Sequence, residues 1–496
     1  MAPRKLLNDE QMRQFLTHGF LVLKSDLPRE FHLELRKQCD TAVEKDHGNP
    51  GNNILPYVPD IQKVFDCPTV SGALTSVLGE RYFMHPHRHM HANTHSKGGD
   101  WHKDSYWGYH AKTRNHRPWW AMIMYYPQDV QVENGPTGVL PGRQNHQTRC
   151  EPEEAGATGV TGEAGTCFMI HYDIWHRATP NTSGINRQML KFEFMRMETP
   201  HAPAWDCRET EWRPSVALPP FRHNGMWRQT WNFLSGKKRP ADSATKGPGL
   251  DGSWIMQLIG GDGPARAQAA DNLEACGPAA ADAVQPLVQM LGDPYEPAAI
   301  NAAYALAAIG APAIPALREA IRSGSPNVLL NAGYAFAAMG AEAVPTLLEL
   351  INDPAEPVRS AAVFALSEIQ ECDGDVIGAL ARLTKDSEAR VRLHAVEALG
   401  MKNSQAKNAL PALIDALRDA DTETRFNAAL SIARLGPVAN EAVPALIAAY
   451  DDPDRYVRGY SIEALHQIGT PEALHAAIRL LKPARWCTTT TPKNLF

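Results

Sequence analysis

The 496-residue sequence contains no Cys-x-x-Cys pair; its eight cysteines (39, 67, 150, 167, 207, 276, 372 and 487) stand far apart. That spacing excludes a small disulfide-stapled scaffold and fits free thiols in a reducing compartment. Long apolar runs are missing too. The most apolar zone, Ala302–Leu317, is broken by Gly310, Pro312 and Pro315, well short of a bilayer-spanning stretch. The opening Met1–Glu10 lacks the apolar centre of a signal peptide. There is no basic stripe: Lys+Arg against Asp+Glu stand at 30 to 26 over residues 1–249 and 19 to 29 over 250–496, for a net charge of −6. An acidic second half argues against a nucleic-acid platform. These absences lead us to expect a soluble, cytoplasmic protein with no membrane and no nucleic-acid partner.

At this length one compact core is exceeded, so several domains are expected. Residues 8–18 predict an amphipathic helix, capped by Asn8 or Asp9 and carrying Met12, Phe15 and Leu16 on one stripe. Gly19 stops it, Phe20–Leu23 follows as a buried strand, and a second helix covers about 28–46. Between 80 and 200 short strands are predicted at 82–94, 119–126, 137–140, 166–170 and 189–196, separated by Gly, Pro and Asn. Such a series suits an antiparallel sandwich or barrel. His85, His87, His89 and His91 alternate within one of these strands. The plainer reading is a polar, partly solvated face, with His91 the exception nearest the site described next.

His102 and Asp104 are two residues apart, so in a strand both side chains share a face. A second histidine from a distant strand, His176, would complete two imidazoles and a carboxylate on one side of Fe(II). The opposite positions would stay open for a cosubstrate and O2. Arg187, eleven residues beyond His176, is placed to clamp a dicarboxylate with its planar fork. Taken alone, a His-x-Asp triplet is equally a strand histidine hydrogen-bonded to its neighbour.

The segment 236–249 (GKKRPADSATKGPG) is a linker by composition. Beyond it helix ends recur at Cys276-Gly277, Ile309-Gly310, Met339-Gly340, Ile369-Gln370, Leu399-Gly400, Leu435-Gly436 and Ile468-Gly469. Further helices open near Pro286, Pro315, Pro345, Pro411 and Pro444. Two helices per unit at this period mean an α-solenoid. The units resemble HEAT repeats of the short, phycobilisome-lyase-like kind. The domains read as 1–235, a linker 236–250, a solenoid 251–482 and a tail 483–496.

The order of three motifs carries a second resemblance. Trp101-His102-Lys103-Asp104, then Glu133-Asn134-Gly135-Pro136-Thr137 running to Pro141-Gly142, then His176 with Arg187, resemble the phytanoyl-CoA dioxygenase family and its ectoine hydroxylase branch. Trp107, three residues past Asp104, and the opening helix and strand are similar too. The resemblance implies a double-stranded β-helix (jelly roll), Fe(II) held by His102, Asp104 and His176, and 2-oxoglutarate paired with Arg187 and touched by Thr137. It implies oxidation of a substrate, ordinarily hydroxylation, with release of succinate and CO2. Asp104 argues against halogenation, because halogenating relatives carry a small residue there. The sequence departs from the family pattern at Arg143, which follows Pro141-Gly142, and at Ala178.

For the substrate, Tyr106 and Trp107 are candidate pocket walls, with Arg143 or His146 at the rim; Lys103, on the opposite strand face, is read as structural. The favoured reading is an oxygenase acting on a small metabolite. The alternatives are a protein or peptide hydroxylase whose repeats recruit the polypeptide, and a scaffold with an inactive oxygenase domain. The repeats could also bind a partner along their concave face or self-associate.

Overall fold

In the computed structural model the described residues are 3–104, 115–150, 156–215, 217–237, 249–370 and 373–482. Trp107 and Tyr106 therefore lie outside the described residues, as do most of the linker and the tail.

Helix α1 (Asp9–His18) opens on a capping box: the Asn8 side chain accepts from the Gln11 backbone, and the Gln11 side chain accepts from that of Asn8. Gly19, left-handed at φ 81°, closes it, a conformation that costs a side chain little only when there is none. Strand β1 (Phe20–Lys24) follows, then helices α2 (Arg29–Lys45), α3 (Ile54–Tyr57), α4 (Ile61–Asp66) and α5 (Pro68–Leu78). The sheets are built from β2 (Tyr82–Asn93), β3 (Trp120–Tyr126), β4 (Thr137–Val139), β5 (Thr158–Val160), β6 (Thr166–His171), β7 (His176–Ala178) and β8 (Arg187–Arg196). One sheet runs β1-β6-β3-β8-β2 and the other β5-β4-β7, with every pairing antiparallel. This is the β-rich jelly-roll domain expected from the sequence. β5, β7 and the helices from 54 to 78 were not anticipated. The two strands are only three residues long, too short for periodicity to register.

Alternation along β8 sorts its residues between two environments. Phe192 and Phe194 pack against Phe65 of α4, with ring centroids 4.6 and 5.4 Å apart. Arg187, Met189, Lys191 and Glu193 therefore face the other way, into the barrel.

After α6 (Asn224–Leu234) the helices resume with α7 (Gly252–Gly260) and α8 (Gly263–Cys276). Then come α9 (Val284–Met290), α10 (Glu296–Ile309), α11 (Ile314–Ser323), α12 (Pro326–Met339), α13 (Val344–Leu350) and α14 (Glu356–Glu368). The series ends with α15 (Gly374–Leu383), α16 (Ala389–Met401), α17 (Leu410–Ala416), α18 (Thr422–Leu435), α19 (Val443–Ala449), α20 (Arg455–Ile468) and α21 (Pro471–Leu481). The even-numbered helices from α8 to α20 stack on one another as one row; α8, α10, α12, α18 and α20 end at the glycines that predict it, α14 ends at Glu368, and α16 runs through Gly400 to Met401. An arginine in the first turns of this row forks onto an aspartate 27 residues on, and the pattern repeats. Arg266–Asp293, Arg359–Asp386, Arg392–Asp419 and Arg425–Asp452 lie at 2.7, 2.9, 2.8 and 2.8 Å. No single described helix is long and apolar enough to cross a membrane.

That row of helices is laid directly against the β-domain. Asn301 of α10 accepts from His223 Nδ1 at 2.6 Å and donates to the carbonyls of Arg222 and Ala267. Tyr304 of the same helix bonds His116 Nδ1 at 2.8 Å. Asn403 takes the backbone N–H of Thr199, and Tyr456 of α20 bonds His87 Nδ1 at 2.8 Å. At these points the helical half is engaged by the chain's own front half.

Candidate active site

One isolated strand pairing creates the site. His102 and His176 exchange backbone hydrogen bonds in both directions at 3.0 Å, an antiparallel pair extending β7. Residues paired in this way project side chains to one face, and the two imidazole rings lie 4.4 Å apart. Asp104, two residues beyond His102, brings Oδ2 to 3.6 Å from His176 Nε2. One ligand atom from each of the three side chains falls within 4.8 Å of the others, the spacing of donors around one ion.

Each ring nitrogen has a defined role. His102 Nδ1 donates to the Asp100 carbonyl at 2.9 Å, and His176 Nδ1 donates to the Ile174 carbonyl at 3.1 Å. With Nδ1 protonated, Nε2 of each neutral imidazole is left as a lone-pair donor, the arrangement common to metal-binding histidines. Burial holds His176 neutral, its pKa lowered to about 4. Burial alone would push the Asp104 carboxyl up, but His176 and Lys191 hold it well below the usual carboxylate range. The set thus presents two imidazole Nε2 atoms and one carboxylate. These residues fit a divalent transition ion.

Lys191, which the sequence reading did not single out, donates to Asp104 Oδ2 at 2.8 Å and is itself buried. It orients the carboxylate. The only signal available was its place on the same strand face as Arg187.

Arg187 is 2 % exposed, so it does not turn out to water. Its Nε and Nη2 donate to the Gly135 carbonyl at 3.0 and 2.7 Å, while buried Nη1 has no hydrogen-bond partner. A buried guanidinium nitrogen without an acceptor is costly and suits an anionic ligand. The Asn-Gly-Pro-Thr segment explains the placement. Gly135, at φ 70°, has no room for a Cβ between Thr179, Asn181 and Asn93, so the loop can bring its carbonyl onto the guanidinium. Thr137 is buried in β4, and its backbone N–H donates to the Tyr126 hydroxyl at 2.9 Å. His91 pairs with Met189 across β2 and β8. Burial, with His89, Lys191 and Arg187 nearby, lowers its pKa to about 3.

Two expectations are corrected. His85 departs from the partly solvated face: a bulge leaves residues 85–87 opposite Glu193, and His85 has no exposed surface, whereas His87, His89 and His91 stay partly exposed. Arg143 and His146 are not at a rim. Both are fully buried, Arg143 beneath Phe221 at 5.0 Å and His146 bonded through Nε2 to His223 Nε2 at 2.8 Å. Both partners belong to the front half, and His223 in turn bonds Asn301 of α10. Lys103 does play a structural part, donating to the Gln144 carbonyl at 2.8 Å.

With this geometry established, the sequence model of the phytanoyl-CoA dioxygenase (PhyH) family matches residues 35–189. Residues 35–189 are a PhyH domain. HEAT-repeat models match 253–337, 314–400, 376–465 and 410–487, covering the solenoid behind the PhyH domain. Among solved structures, the non-heme monooxygenase ThoJ in its nickel complex is similar at 18% identity, with 42% of this chain and 86% of that chain covered and a TM-score of 0.31. The carbocyclase SnoK, described as α-ketoglutarate-dependent, is similar at 17% identity, over 44% and 91%, with a TM-score of 0.33. HygX from Streptomyces hygroscopicus, with nickel and 2-oxoglutarate bound, is similar at 14% identity, over 43% and 96%, with a TM-score of 0.33. No curated protein matches the chain.

Proposed function

We propose that this chain is an Fe(II)- and 2-oxoglutarate-dependent dioxygenase that hydroxylates a small-molecule metabolite, releasing succinate and CO2. The carrying observation is the convergence of His102, Asp104 and His176, with both Nδ1 atoms committed to backbone carbonyls. Iron with 2-oxoglutarate and O2 supplies the oxidising power for attack on an unactivated C–H bond. The protein's part is positional. His102 and His176 present Nε2, Asp104 presents a carboxylate oriented by Lys191, and Arg187 offers Nη1 to the far carboxylate of the diacid. Thr137 and His91 line the same inner surface and are assigned to the cosubstrate side.

The solenoid supports a small substrate over a recruited polypeptide. Two tyrosines of the row from α8 to α20, Tyr304 and Tyr456, are engaged with the PhyH domain through His116 and His87. The test is succinate release by the full chain with Fe(II) and 2-oxoglutarate against a metabolite library, with Asp104→Ala as the blank. Succinate release by the wild type alone, stimulated by a library member, supports the assignment. Equal release by Asp104→Ala contradicts it.

A further inference from the structure

Inside the barrel, beyond the metal-binding trio, lies a second polar cluster that the oxygenase reading leaves unused. Along the inward face of β8, Arg187 marks the cosubstrate end, Lys191 touches Asp104, and Glu193 lies one inward position further on, about 7 Å along the strand. Glu193 is 1 % exposed, yet its Oε2 has no hydrogen-bond partner. A buried carboxylate oxygen without a donor pays a desolvation cost that a native fold ordinarily offsets with a cation or a ligand.

The surroundings are built around that oxygen. In register, Met84 pairs with Phe194 and Arg88 with Phe192, so His85, Pro86 and His87 all stand opposite Glu193. Bulges of this kind re-aim side chains beside active sites. His85 Nδ1 comes to 3.3 Å from Glu193 Oε2, and His87 Nε2 to 4.0 Å from Oε1. His85 Nδ1 accepts from the His87 backbone N–H at 3.0 Å, which leaves the proton of a neutral ring on Nε2, a buried donor also without a partner. The solenoid supplies the remaining wall. Tyr456 stacks on His85 at 5.5 Å with 16° between ring planes, and its hydroxyl bonds His87 Nδ1 at 2.8 Å. Tyr460 packs on His85 at 5.3 Å, tilted by 55°.

The charge balance states what is missing. Burial keeps His85 and His87 neutral, His87 with a pKa of about 4. Lys191, the neighbouring cation on this face, is engaged by Asp104. Glu193 therefore faces imidazoles and tyrosines and lacks a cationic partner of its own. Burial raises its carboxyl to about 7, against the pull of Lys191 and His87, so a bound cation would readily hold it ionised.

We propose that Glu193, His85, His87 and Tyr456 form a substrate subsite, built across the domain seam, that takes a protonated amine. The proposal rests on the oxygenase reading for the identity of the bound molecule as substrate. Glu193 Oε2 accepts from the ammonium, His85 Nε2–H donates to a neighbouring acceptor on the ligand, and Tyr456 fixes the imidazoles that frame it. Tyr456 is a positioning residue here, which gives the solenoid a role in substrate choice.

The test uses the full chain and a pair of probes of equal length, n-butylamine and n-butanol, titrated calorimetrically at about pH 8, where Glu193 is ionised. Wild type should bind the amine about tenfold tighter than the alcohol, the discrimination expected of one charge-assisted hydrogen bond. Glu193→Gln should abolish the preference, and Glu193→Asp should retain part of it. Tyr456→Phe should weaken amine binding severalfold without lowering Tm, which a purely structural tyrosine would not do. Absence of an amine preference in wild type, or its survival in folded Glu193→Gln, overturns the proposal. Iron and 2-oxoglutarate binding by the wild type are measured in parallel. If both bind and no amine preference is seen, the subsite fails and the oxygenase reading stands; if neither binds while the preference persists, the reverse holds.

Discussion

The centre of the site can be argued residue by residue. His102 and Asp104 were legible because a spacing of two puts side chains on one strand face, and Arg187 because a planar fork is the natural partner of a carboxylate. Lys191 and Glu193 were not, because Leu190-Lys191-Phe192-Glu193-Phe194 reads as an apolar face alternating with a solvated one, whereas every residue of β8 is buried. Their roles give direct tests. Lys191→Met removes the donor that orients Asp104 and should weaken iron binding by about tenfold or more, measured by competition with a chelator. Unchanged affinity would show that Asp104 needs no support. Arg187→Gln should raise the 2-oxoglutarate concentration needed for half-maximal succinate release by at least about tenfold, with iron binding intact. An unaltered requirement would remove Arg187 from the cosubstrate site.

Among the elements, the solenoid was the most readable. Glycine past the last turn and proline in the first turn are local backbone constraints, so Gly277, Gly310, Gly340 and Gly436 mark helix ends without reference to tertiary structure. The β2 bulge was the least readable. Histidines at 85, 87, 89 and 91 mimic an unbroken alternation, and only the pairing with β8 shows three residues opposite one. The arginine–aspartate ladder belongs to this scale too. Arg392 and Asp419 are both largely buried, with 15 and 10 % side-chain exposure, and meet in a two-point fork. Arg392→Gln leaves Asp419 short of its partner and should cost about 1–3 kcal/mol in urea unfolding. An effect below about 0.5 kcal/mol would assign the ladder to the solvated, weakly contributing class of ion pairs.

Across the whole molecule, the packing of solenoid on PhyH domain was illegible from sequence, because it is made of single polar contacts between residues separated by tens to hundreds of positions. His116 and Tyr304 are 188 apart, and His87 and Tyr456 are 369 apart. The seam carries a pH dependence with a definite sign. Burial lowers His116 to about 3 and His223 to about 4, so folding holds both neutral while the unfolded chain protonates near 6.5. Their contribution is complete above about pH 6.5 and is lost as pH falls toward 4, at up to about 1.4 kcal/mol per pH unit for each histidine. Thermal unfolding followed from pH 7.5 to 4.5 should show a falling Tm over that window; a flat profile would contradict neutral burial. The account as a whole stands most directly on metal binding at the strand pair. Equilibrium dialysis of the full chain against ferrous iron without oxygen should give one ion per wild-type chain, and close to none for Asp104→Ala. An Asp104→Ala chain that retains one tightly bound ion would contradict the assignment.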